Sequence, residues 1–367
     1  MKKSLIALAV LAASGAAMAQ SSVTLYGVAD AGVTYINGKD NWSGVTSGNQ
    51  LTSRIGFRGV EDLGGGLKAN FRLEAGLNLD VGDGASGYAG AKAGDGLAFK
   101  RNSTVGLQGG FGEVRLGREL TAAYNAVARY DVFGSVGLAY SRMWVAGETA
   151  ESSTNATATA PAIRVSNAVT YVSPNFAGFK VGVNYGFGEI AGKNSDARYL
   201  GAGLTYDNGP ISVGLAAEQL KQNTVGGNSS GSVNGDMTSW ALGASYDFGV
   251  AKLLGAYRTS KHENWANNLI GNDNKRNGYL LAVTAPVGPG LVKASYNRYE
   301  NKLGGTTTKA DQFGLGYVYS LSKRTSVYGT YAYLKNKNGA SLYTLGAGGL
   351  KNNGSQQGVQ MGITHTF

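Results

Sequence analysis

Hydrophobic and polar residues alternate with a period of two along most of this chain. Val181, Val183, Tyr185 and Phe187 alternate with Lys180, Gly182, Asn184 and Gly186. Ile211, Val213, Leu215 and Ala217 alternate with Ser212, Gly214, Ala216 and Glu218. Trp240, Leu242, Ala244, Tyr246 and Phe248 stand against Ser239, Ala241, Gly243, Ser245 and Asp247, and a further apolar row runs from Tyr279 to Val287. The last residues place Val359, Met361, Ile363, His365 and Phe367 on one face. Successive side chains of a strand point to opposite faces. Each segment therefore predicts a strand with one apolar face and one small or polar face that includes charge. Strands of about ten residues with this pattern suit a barrel with lipid outside and water inside. A soluble sandwich also alternates, but aromatics here gather at strand ends (Tyr185, Phe187, Tyr246, Phe248, Tyr317, Tyr319), where a membrane girdle needs them.

The connections alternate in length. Short turns fall at 61–66, 109–112, 174–178, 207–210, 287–290 and 321–324. Between them lie polar stretches near 38–50, 81–97, 120–163, 223–235, 264–275, 302–308 and 336–354. Short turns on one side and long loops on the other are the asymmetry of an outer-membrane barrel. Counting strands between these breaks gives sixteen, starting near 22, 51, 67, 98, 113, 165, 179, 196, 211, 236, 251, 276, 291, 309, 325 and 356. The expected fold is all-β, a 16-stranded antiparallel transmembrane β-barrel. A barrel of that size encloses water rather than a packed core, which accounts for an apolar content of only 43%.

The N-terminus predicts export. Lys2 and Lys3 precede a short apolar run from Leu5 to Ala13, and Ala17-Met18-Ala19 fits a cleavage site before Gln20. Residues 1–19 are thus expected to be a signal peptide and 20–367 the barrel. Cys is absent, which removes disulfide scaffolds, thiolate zinc sites and thiol catalysis. Only two histidines occur, His262 and His365, with no G-x-S-x-G and no H-E-x-x-H. An enzyme is disfavoured on that ground, and no cofactor or metal is expected; the spacing of Asp80, Asp83 and Asp95 fits no standard calcium loop. The net charge of +10 suits lipopolysaccharide phosphates or permeating anions better than nucleic acid in an exported barrel. A solute-specific channel, for a sugar, phosphate or organic acid, stays open beside general diffusion, with an adhesion barrel further off.

The chain resembles the general porins of Gram-negative bacteria, most closely the branch common in β-proteobacteria. The resemblance rests on Ser22-Val23-Thr24-Leu25-Tyr26-Gly27-Val28-Ala29-Asp30, on Ser53-Arg54-Ile55-Gly56-Phe57-Arg58-Gly59 followed by a Glu-Asp-Leu-Gly-Gly-Gly turn, on Gly112-Glu113-Val114-Arg115-Leu116-Gly117-Arg118, and on the closing Phe367. It implies a homotrimer in the outer membrane, a passive channel for small hydrophilic solutes and ions. It also implies a C-terminal assembly signal at Phe367 read by the assembly machinery, and a third loop, about 120–163, folded inward to constrict the lumen. The family's basic ladder falls on Arg54, Arg101 and Arg164, and Arg58 shares the parity of Arg54. Arg54 and Arg101 read as mid-strand, where a lipid-facing charge costs ~2–4 kcal/mol, so the lumen is their expected side. On the loop, Asp131 matches a family carboxylate and Tyr124 a lining tyrosine. The family's Pro-Glu-Phe-Gly turn is reduced here to Val132-Phe133-Gly134, so its acid is missing; Glu148 and Glu151 are possible replacements. Guanidinium groups stay charged at any pore pH. A net positive constriction with a weak anion preference is therefore expected.

Overall fold

The structure is a computed structural model that describes residues 22–85, 96–144, 163–188, 198–221, 236–263, 273–340, 343–350 and 353–367. The expected signal peptide (1–19), Glu148 and Glu151 lie outside them. Among the described residues, eighteen strand segments form one sheet. They are β1 (Ser22–Asn37), β2 (Trp42–Ser47), β3 (Arg54–Gly64), β4 (Leu67–Asn78), β5 (Asp83–Ala85), β6 (Asn102–Gly109), β7 (Gly112–Leu120), β8 (Arg164–Val172) and β9 (Phe179–Gly186) in the first half. The second half adds β10 (Tyr199–Asn208), β11 (Ile211–Leu220), β12 (Met237–Asp247), β13 (Lys252–His262), β14 (Asn274–Val287), β15 (Gly290–Leu303), β16 (Thr306–Ser320), β17 (Thr325–Lys337) and β18 (Ser355–Thr366).

Eighteen segments make sixteen staves, because two staves are interrupted. β2 and β3 both pair with β1, at Ala31–Ile36 and at Ser22–Val28. β5 and β6 likewise share β4. The first break is a built feature. The Asp30 carboxylate accepts the backbone N–H groups of Asn49, Gln50 and Leu51 at 2.9–3.0 Å, together with the hydroxyls of Tyr328 and Thr364. Amides that leave the ladder thus find a buried acceptor, as they must. The sheet closes on itself where β1 pairs with β18, from Val28 with Thr366 to Asn37 with Gln357. Gly27 and Phe367 complete the seam by exchanging both backbone hydrogen bonds, at 3.0 and 3.1 Å.

The polarity is inside out. Trp240, Leu242, Leu281, Phe313, Leu315, Met361 and Ile363 are exposed on the outer face, while Ser239, Asn184, Gln312, Asn336 and Gln360 are buried on the inner one. The rows read from the sequence are the outward rows. Two expectations change. The stretch 302–308 is not a long loop: β15 and β16 are joined by Gly304-Gly305 alone, with Leu303 paired to Thr306. Both glycines have positive φ, +54° and +81°, the conformation that lets a two-residue hairpin follow the sheet twist. And Arg54 and Arg101 are not mid-strand: Arg54 opens β3 and Arg101 stands just before β6, each beside a break in its stave.

Candidate functional site

The segment after β7 leaves the wall and crosses the lumen. Thr121 caps the short helix α1 (Ala122–Val127), its hydroxyl accepting the Tyr124 N–H at 3.1 Å, a standard first-turn cap. The helix packs against β10 and β11. Its fit depends on the inward row being small: a Cβ added at Gly203 or Gly214 would strike the carbonyls of Ala122 or Ala126, and one at Gly243 the Tyr130 ring. The Tyr130 hydroxyl meets Ser212 at 3.0 Å. Phe133 lies over Gly314 and Gly316, and Met143 over Gly278. Apolar residues of the loop thus make a core inside an otherwise polar barrel, with Val127, Tyr130 and Trp144 each about 1% exposed.

Two arginines bolt the far end of this loop to the wall. The buried Arg142 guanidinium donates to the carbonyls of Leu138, Tyr140 and Thr344 and to Gln312 Oε1, and lies 4.4 Å over the Tyr140 ring. The Arg142 backbone N–H donates to the Tyr299 hydroxyl at 2.8 Å. Arg258, on β13, pairs with Glu218 of β11 at 2.8 Å, donates to the Met143 carbonyl and stacks 4.6 Å over Trp144.

The wall opposite carries the charge. Glu74, on the inward row of β4, is the centre. Arg101 Nε donates to it at 2.8 Å, Arg72 Nη2 at 2.6 Å and the Tyr26 hydroxyl at 2.9 Å, and Arg54 Nε stands 3.8 Å away. Arg164 joins through its Nε, which donates to the Arg101 carbonyl at 3.0 Å. Three guanidinium groups therefore face one carboxylate and a fourth, that of Arg164, stands behind Arg101, leaving about three positive charges in the cluster. Arg58 and Arg72 lie on the Tyr26 ring, at 5.4 and 5.5 Å from its centroid. A cavity of about 770 Å³ opens between wall and loop, lined by Arg54, Arg101 and Arg164 on one side and Tyr124 and Tyr140 on the other. Burial pushes the Tyr124 phenol up from its ordinary pKa.

Asp131 is placed differently from the arginines. It is 7% exposed and turned into its own loop, accepting the N–H groups of Phe133, Ser135 and Ser141 at 2.8–3.1 Å. Burial raises its pKa, against the pull of those three donors. Among the described loop residues it is the one carboxylate. Sequence reasoning missed Glu74, Arg72, Arg142 and the Arg258–Glu218 pair. A signal for Glu74 was present: it shares the parity of Asn70 and Arg72 within β4, so the cost that keeps arginine off the lipid face applies to it too.

Comparison with known proteins agrees with this architecture. The Gram-negative porin family model matches residues 5–339. The chain is 46% identical over 381 residues to outer membrane porin protein 32 of Delftia acidovorans, covering all of both chains. It is 34% identical over 393 residues to an outer membrane porin protein of Bordetella pertussis, across 92% of this chain and 95% of that one. Among solved structures, an anion-selective porin from Comamonas acidovorans superposes with a TM-score of 0.79 at 40% identity, covering 95% of this chain and 100% of that one.

Proposed function

The chain belongs to the Gram-negative porin family and is a passive outer-membrane channel rather than an enzyme, and from that premise we propose that its constriction weakly prefers anions among the small hydrophilic solutes it passes. The convergence of Arg54, Arg72 and Arg101 on the single carboxylate Glu74, with Arg164 bonded to the Arg101 carbonyl beside them, carries this reading. A ring of fixed cations lowers the energy of an anion at the narrowest point and raises that of a cation. Arg58 extends the basic wall toward the short turns, and Tyr124 forms the facing side of the gap. Asp131 supports the gap from within the loop: with its oxygens occupied by backbone N–H groups, it offsets less of the arginine charge. The anion-selective porin from Comamonas acidovorans, at 40% identity, is consistent with the same choice.

The working unit we propose is a homotrimer of chains beginning at Gln20. Exposed apolar side chains crowd the strands at the seam, among them Val23, Val33, Val45 and Met361 at 56–69% exposure, a surface suited to a neighbouring copy. We also assign Phe367 to recognition by the assembly machinery and the remaining outer face to membrane lipid and lipopolysaccharide. Native mass spectrometry of protein extracted from outer membranes is expected to show three copies, each 19 residues short. In planar bilayers, closures in groups of three and a reversal potential of anion sign across a salt gradient are expected. A cation-sign potential would refute the arginine reading.

A further inference from the structure

The outer face of β13 to β17 changes character along its height. In register, Leu281, Tyr296, Phe313 and Tyr333 form one apolar rung, and Val283, Ala294, Leu315 and Tyr331 form the next toward the short turns. Toward the long loops the same outward row turns charged. Tyr279, Arg298, Asp311 and Lys335 make the first such rung, Asn277, Glu300, Lys309 and Lys337 the second. The third is Lys261, Lys275 and Lys302, three lysines directly opposite one another on three adjacent strands.

Opposed side chains in such a ladder have Cβ atoms ~5 Å apart, and like charges so placed destabilise the sheet. The lower charged rungs solve this with acids: Asp311 binds Arg298 and Lys337 at 2.8 and 2.6 Å, and Glu300 binds Lys309 at 3.1 Å. In the top rung Lys261 has Asp273 at 2.9 Å. Lys275 and Lys302 have no acid in ion-pair contact among the described residues. Beneath this row runs an aromatic chain, Trp240 to Tyr257 to Tyr279, with ring centroids 5.1 and 5.0 Å apart, as expected at a membrane surface. The lysines stand four residues beyond Tyr279, about 10 Å higher once strand rise and tilt are combined. That is headgroup depth.

We propose that the facing pair Lys275 and Lys302, at the end of a row whose third lysine, Lys261, is already held by Asp273 and Glu263, binds the phosphate groups of a phosphorylated glycolipid of the outer leaflet. Phosphate oxygens bridging adjacent ammonium groups remove the repulsion that the wall leaves uncompensated. Acyl chains of the same molecule reach past the two charge-compensated rungs to the apolar Leu281–Tyr296–Phe313 rung, three rungs below, which distinguishes a lipid from a soluble anion. The inference rests on the outer-membrane reading and gives its lipopolysaccharide contact a location.

The test uses the full-length protein in detergent. Lipid A (diphosphorylated), its dephosphorylated form and inorganic phosphate are titrated separately and read by native mass spectrometry. The variant Lys275→Gln/Lys302→Gln is expected to bind lipid A at least fivefold more weakly than the parent, while Lys323→Gln, in a short turn on the other rim, binds it as the parent does. Unchanged lipid A affinity in the double variant overturns the proposal, as does equal binding of the dephosphorylated lipid or of inorganic phosphate. Bilayer recordings on the same preparations separate the two levels. Conductance steps with unchanged lipid binding overturn this inference alone, whereas folded protein without steps overturns the channel reading and the inference with it.

Discussion

The triple variant Arg54→Gln/Arg101→Gln/Arg164→Gln is expected to pass anions and cations about equally. In the parent, three uncompensated charges ~7 Å from a permeating ion contribute roughly 1.8 kcal/mol in water. Screening at 0.1 M salt, with a Debye length of ~10 Å, about halves that. An anion gains this amount and a cation loses it, so for these charges alone the parent's anion preference has a ceiling of roughly twentyfold at 0.1 M. At 1 M, where the Debye length is ~3 Å, the preference should fall to about twofold. The triple change leaves Arg72 and Glu74, a neutral pair at 2.6 Å, so the reversal potential should approach zero at both salt concentrations. Glu74→Gln should move it the other way, raising the anion preference by removing the cluster's one negative charge. If the triple variant keeps the parent's reversal potential, the selectivity lies elsewhere in the lumen.

Arg258→Ala is expected to lower barrel stability by about 3–5 kcal/mol, the usual result of removing one member of a buried ion pair. Glu218, with 1% of its side chain exposed, would remain charged inside the wall without its guanidinium partner, beside the Tyr199 hydroxyl at 3.0 Å. The same change releases the Met143 carbonyl and the Trp144 ring. The loop end then loses one of its two bolts, and conductance should rise. The temperature at which the folded band disappears on unheated gels reads the first effect, and single-channel current reads the second. Arg258→Met/Glu218→Gln should recover most of the stability, because no charge is left buried, while conductance stays raised. A folded Arg258→Ala barrel with parental conductance would mean that Arg142 holds the loop unaided.

Local pattern made the barrel legible. The rows through Trp240, Leu281 and Met361 need only a period of two and a knowledge of which solvent lies on each side. Turns such as Val287-Gly288-Pro289-Gly290 announce themselves by composition. The broken staves were not legible in the same way, because 38–50 reads as one polar loop with the next strand starting near 51. Only the fold brings Asp30 beneath it to receive three amides. The Gly304-Gly305 hairpin was hidden among polar neighbours that resemble a longer connection. At the constriction, the arginines could be placed by motif and parity. Glu74 carried the same parity signal but lay in no motif. The loop's anchors are the hardest case: Arg142 reaches Gln312 across 170 residues and Arg258 reaches Met143 across 115. Nothing local distinguishes those arginines from solvated ones.

Every guanidinium around Glu74 is mounted on the wall or at a strand end, and the loop that narrows the lumen contributes no paired acid to that cluster among its described residues. Which sign of ion passes and how large a solute passes are therefore carried by different parts of the chain. Insertions or substitutions in the crossing segment can retune the size cutoff without touching the charge filter, and changes of charge at constant side-chain size around Glu74 can retune the filter without reshaping the aperture. A lineage, or an engineer, can adjust either property while the other stays fixed.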